Sequence, residues 1–220
     1  MNALRTGLVL LLGLLLSGCT GSAAVDSTCD ELVTLRTQIA QAGSLEQFRT
    51  WIADTYQITP ESIELRSVPP QTQLLLWRRD DQWYSMSIEN GMVVQIGAQI
   101  RGLSATDVIA CLGQPEQYKA MYGYETPGGT QLDFALLFPD QGILAGGATI
   151  LRARPTQPPA ITGDFKLDGF QFMLPGPVST LLEQTHSVYA APLREQMINA
   201  YKPWPGDWKD VQITPFVSPP

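Results

Sequence analysis

Hydrophobic positions recur every three or four residues near the start of the chain and every second residue over most of the remainder. Cys29, Leu32, Leu35 and Ile39 form one helical stripe. Ser27 is placed as its N-cap, Asp30 falls in the first turn, and Gly43 supplies a stop. Ser44 with Gln47 forms a capping-box pattern, after which Leu45, Phe48, Trp51, Ile52 and Tyr56 line a second stripe until Pro60. Two amphipathic helices joined at Gly43 predict a helical hairpin.

From Ser62 the period falls to two. Ile63 and Leu65 alternate with Glu64 and Arg66, Pro69-Pro70 interrupts, and a second strand runs from Leu74 to Arg79. Asp80-Asp81-Gln82 reads as a turn, and Tyr84, Met86 and Ile88 share one face of the next strand. Asn90-Gly91 is the strongest hairpin signal, because a type I′ turn needs positive φ at both central residues. Beyond it Met92, Val94, Ile96, Ala98 and Ile100 alternate with Val93, Gln95, Gly97, Gln99 and Arg101, which predicts an antiparallel strand with one buried face.

The same order then repeats. Ser104 with Asp107 caps a short helix, Leu103 and Val108 form its hydrophobic staple, Val108, Cys111 and Leu112 face inward, and Gly113 with Pro115 ends it. Tyr118, Ala120, Tyr122 and Tyr124 alternate in a strand, Pro127-Gly128-Gly129 turns, and Leu132, Phe134, Leu136 and Phe138 alternate back. Pro139-Asp140-Gln141-Gly142 turns again into Ile143–Leu151. The fold class read from this is α+β, with helices packed on an antiparallel meander sheet and a degenerate tandem repeat of halves 28–102 and 103–154. Pro155–Pro159 reads as a stiff linker. Residues 155–220 then carry a hairpin about Asp168-Gly169, a helical segment from Ser179 interrupted at Pro192, and a tail with Trp204 and Trp208.

The N-terminal region changes where this domain is expected to be. Arg5 precedes an unbroken apolar run from Gly7 to Leu16, about half the ~20 residues a spanning helix needs. Leu16-Ser17-Gly18-Cys19 resembles the lipobox of bacterial lipoproteins. That resemblance implies cleavage after residue 18, diacylglycerol on the Cys19 sulfur and acylation of the new amine, so residues 19–27 would be a tether between membrane and domain. In diderm bacteria Thr20, in place of aspartate, would by the same resemblance favour the outer membrane. Removing residues 1–18 from the 220 leaves 202, enough for one domain or two small ones.

Residues 103–144 resemble, through Leu112-Gly113-Gln114-Pro115, the Tyr122/Tyr124 strand and Leu132-Asp133-Phe134 to Gly142, the small SmpA/OmlA-type outer-membrane lipoproteins. The beta-lactamase inhibitor protein has a related helix-plus-sheet unit in tandem. The resemblance implies a layered fold that binds proteins rather than catalysing, and it transfers no binding residue.

Composition narrows the partners. A hydrophobic share of 44% supports a real core. A net charge of −7 with four lysines lacks the basic footprint of nucleic-acid binding. With Cys19 lipidated, Cys29 and Cys111 remain, either as a disulfide of an oxidising compartment or as two separately buried thiols.

Catalytic signals are sparse. His186, the single histidine, lies near Glu183 with no nucleophile beside it, and one histidine cannot build a usual zinc site. Asp80-Asp81 and Asp30-Glu31 are the carboxylate pairs, explained by a turn and by a helix first turn. Trp204 and Trp208 either stack on a sugar or partner, or fold back over the core. The expectation is a lipid-anchored extracytoplasmic protein without catalytic activity, cofactor or metal, held to a membrane by lipid and bound to another envelope protein. A glycan or small-molecule binder is the alternative, and a cell-wall hydrolase the third reading.

Overall fold

The computed structural model describes residues 22–68, 72–152 and 160–217. The lipobox Leu16–Cys19, Pro69-Pro70, the Pro155–Pro159 linker and the last three residues lie outside them. The chain is an α+β fold with one sheet at its centre. Helices α1 (Ser22–Thr37) and α2 (Leu45–Tyr56) precede strands β1 (Glu64–Val68), β2 (Thr72–Arg79), β3 (Gln82–Glu89) and β4 (Met92–Gln99). Helix α3 (Ala105–Leu112) precedes β5 (Gln117–Thr126), β6 (Gly129–Phe138) and β7 (Ile143–Leu151). Strand β8 (Gly169–Met173), helices α4 (Val178–His186) and α5 (Ala191–Asn199), and short strands β9 (Tyr201–Pro203) and β10 (Thr214–Pro215) complete it.

Two of the three expected helix caps form, both as capping boxes: Ser44 with Gln47 starts α2, and Ser104 with Asp107 starts α3. The Asn90-Gly91 turn has φ of 51° and 74°, as the type I′ reading requires. The two halves do share an order of capped helix followed by meander, and one strand, β8, lies between their facing edges. The sheet runs β1-β2-β3-β4-β8-β7-β6-β5-β10, with β9 pairing β5 as well.

Four local expectations are corrected. Helix α1 begins at Ser22, so Ser27 lies within it and most of residues 20–27 are helical rather than a tether. It also ends at Thr37, before Gly43. The α1–α2 connection is stitched to the β3–β4 hairpin instead of forming a tight hairpin of its own: Ala40 N–H donates to Val93 O at 2.9 Å and Gly43 N–H to Gly91 O at 2.9 Å. In β4 a register shift opposite Ser87/Ile88 admits an extra residue, so Val93 rather than Met92 or Val94 enters the core.

No hairpin forms about Asp168-Gly169. β8 is a lone strand inserted between β4 and β7, antiparallel to both, and it makes the two halves one sheet. Residues 160–217 are therefore integral to the fold rather than an appendage.

One face of the sheet is covered by α1, α2 and α3. Leu32, Leu35, Phe48, Ile52, Val108, Phe134, Phe170 and Phe172 all belong to its core. Trp77 and Tyr84, a cross-strand pair, stack at 5.3 Å beneath Tyr56. The opposite face is covered only over its second half. There Leu181 and Leu182 of α4 pack on Ala135, Leu137, Leu144 and Met173. None of β1–β4 joins that second cluster.

Candidate functional site

Strand pairing places Tyr201, Lys119, Ala135 and Gly146 abreast on β9, β5, β6 and β7, all on the face roofed by α4 and α5. Side chains paired in register point the same way, so Lys119 is flanked by a tyrosine and by two positions with almost no side chain. The missing bulk leaves a cleft of about 330 Å³, lined also by Asp133, Gln171 and His186.

Several of its polar groups are without a hydrogen-bond partner among the described residues. Lys119 is only 6% exposed, and among the described residues its ammonium makes no hydrogen bond or ion pair; it lies 5.7 Å from the centre of the Tyr201 ring. Among the described residues the Tyr201 hydroxyl, the Gln171 side-chain oxygen and both ring nitrogens of His186 are buried without a hydrogen-bond partner. Asp133 is held by Gln131, whose amide donates to it at 2.5 Å. Burial lowers the Lys119 pKa, opposed by the Asp133 carboxylate, and lowers that of His186 to about 4, helped by the Lys119 charge. Burial raises that of the Tyr201 hydroxyl, with Tyr189 and Asp133 adding to the effect.

His186 is thus a packed, neutral histidine facing Lys119 and Tyr201 rather than Glu183. Glu183 instead meets Arg194 at 3.7 Å on the surface. Alternation of Tyr118, Ala120 and Tyr122 assigns Lys119 to a wet face. The signal against that assignment was Ala135-Leu136-Leu137-Phe138, an uninterrupted apolar run of a strand buried on both sides.

The two carboxylate pairs come together. Asp30, Glu31, Asp80 and Asp81 line one cleft of about 540 Å³ with Arg79 and Arg101. Three of the four are partnered there: Tyr84 donates to Glu31 at 2.8 Å, Arg78 pairs with Asp81 at 2.5 Å, and Arg79 approaches Asp80 at 4.0 Å. Among the described residues no group of His, Cys, Asp and Glu is arranged to hold a metal ion.

Trp204 and Trp208 do not form a free aromatic platform. Both are half-buried and pack on the helix-covered core, Trp204 edge-on to Tyr118 at 5.8 Å and Trp208 against Phe134 at 6.0 Å. Trp204 also donates to the Gln114 side chain at 2.9 Å. They fold back because β10 pairs in parallel with β5 and draws the tail across that strand. Cys29 and Cys111 form a disulfide, with Cα atoms 5.5 Å apart.

No family model and no curated protein matches the chain. A solved cysteine-rich secretory protein of Staphylococcus aureus subsp. aureus Mu50 is similar over 62% of this chain at 8% identity, with a TM-score of 0.34. The chain spans 44% of that protein's length. Among the described residues no helix is long and apolar enough to cross a membrane.

Proposed function

We propose that the protein is a lipid-anchored, extracytoplasmic, non-catalytic binding protein that docks another cell-envelope protein on the uncovered face of β1–β4. The carrying observation is an asymmetry in the sheet: α4 and α5 cluster with β6–β9 on this face, and no residue of β1–β4 joins them. What remains there is an apolar centre within a polar surround. Leu74 and Leu76 are half-buried, Trp83 is 56% exposed, and the Arg78 guanidinium sits 5.6 Å from the centre of the Trp83 ring. Tryptophan and arginine are the side chains that most often carry the energy of a protein interface.

The cellular setting rests on Leu16-Ser17-Gly18-Cys19 and is supported by the Cys29–Cys111 disulfide, a bond that persists in oxidising compartments. Two or three acyl chains, at about 0.8 kcal/mol per buried CH₂, would hold such a domain on a membrane.

The test is site-specific photo-crosslinking in cells. A benzophenone side chain at position 83 is expected to give one dominant protein adduct, and the same group at Val188, exposed beyond the end of α4, none. Trp83→Asp should remove capture without lowering the melting temperature. Equal labelling from both positions, or none from position 83, overturns the reading.

A further inference from the structure

The cleft under α4 has a cationic end and an anionic end, and neither is neutralised by the other. Lys119 and Asp133 lie on adjacent strands as diagonal neighbours, since Lys119 is directly opposite Ala135. That relation sets their backbones about 7–8 Å apart, and their charged groups form no ion pair. Beside Lys119 the Tyr201 hydroxyl and His186 are buried and unpartnered, and the Gln171 oxygen, also unpartnered, lines the same cleft.

We propose that this cleft binds a small α-amino acid, with its carboxylate on Lys119 and the Tyr201 hydroxyl and its ammonium on Asp133. This stands apart from the docking face on β1–β4. A purely apolar ligand would leave these polar groups dehydrated and unsatisfied, which is unfavourable. A doubly charged anion such as phosphate would meet the Asp133 carboxylate. A zwitterion satisfies both ends at once. The volume, about 330 Å³, sits at the small end for ligand pockets and suits a molecule of amino-acid size. Ala135 and Gly146 form the floor, and the small side chains there are what keep the space open.

Calorimetry on the full chain in detergent tests this, titrating the neutral α-amino acids one by one, with acetate and methylammonium as single-ended probes. At least one amino acid is expected to bind, with each single-ended probe weaker by at least about tenfold. Lys119→Met, which keeps the shape and removes the charge, and Gly146→Val, which fills the floor, should each weaken binding by about tenfold or more. A Cβ at position 146 meets Ala135 Cβ at 3.7 Å, an ordinary contact, and an unchanged melting temperature of Gly146→Val separates a filled floor from a misfolded chain. Absence of binding by every amino acid overturns the proposal, leaving a hydrated cleft. Acetate binding as tightly as the amino acids overturns it in favour of a simple anion site. Binding unchanged in Gly146→Val overturns the location.

Discussion

Cys29 on α1 and Cys111 on α3 are disulfide-bonded across 82 positions of sequence, tying the helix that opens the first half to the helix that opens the second. The bond and β8 do the same task on different layers. β8 joins the two meanders within the sheet, and the disulfide joins the helices above it.

Breaking that link should loosen the helical layer more than the sheet. Closing a loop of this length constrains the unfolded chain by about 4 kcal/mol in the chain-entropy account. Cys29→Ser with Cys111→Ser, or reduction of the native protein, is expected to lower the melting temperature by many degrees. Thermal unfolding followed by circular dichroism with and without reductant measures it, and an unchanged midpoint contradicts the structural role.

His186 makes stability depend on pH. Its folded pKa of about 4 is below the ordinary 6.5, so the unfolded chain binds the proton first as pH falls. Stability from this group is complete above pH 6.5 and is lost progressively down to about pH 4, by about 3 kcal/mol in all. Lys119, Tyr201 and Tyr189 face the ring and Asp133 lines the same cleft, and none of them offers it a hydrogen bond. Denaturant midpoints between pH 4 and 7 should therefore slope upward in the native protein. The slope should shrink in His186→Leu; a native profile that is flat refutes the assignment.

Gly142 closes the turn between β6 and β7 with φ of 65°, and a Cβ there would collide with the Met173 carbonyl. Alanine at this position meets both strain and a backbone clash with β8, a loss of about 2–4 kcal/mol. The measurement is the denaturant midpoint of Gly142→Ala. Gly113→Ala is the comparison, because positive φ is present there but no atom lies within 4 Å of a Cβ.

The tail tryptophans are expected to act on stability rather than on glycan binding. Trp208→Ala removes a half-buried ring from Phe134 and Trp204 and should cost about 2 kcal/mol. Retention of Trp204→Ala/Trp208→Ala on immobilised cell-wall glycan should equal that of the native protein. Selective loss of retention would restore them as a binding surface.

Local chemistry by itself determined the capped starts of α2 and α3, the Asn90-Gly91 hairpin and the alternating strands of both meanders. Each depends on side chains and backbone within a few residues of one another, so the information is contiguous in the chain. The α+β class is a consequence of that order. Tertiary structure alone decided the place of β8, because a central strand is defined by partners on both edges, and those partners lie at 95–99 and 143–146. It also decided which polar residues are buried. Lys119 and His186 read as surface or packed side chains until α4 is laid over β5–β7, and only then do their distances, and the cleft they share with Tyr201 and Asp133, exist. Burial is a relation between distant segments, and a period of two along one strand reports the strand's two faces without saying what covers either.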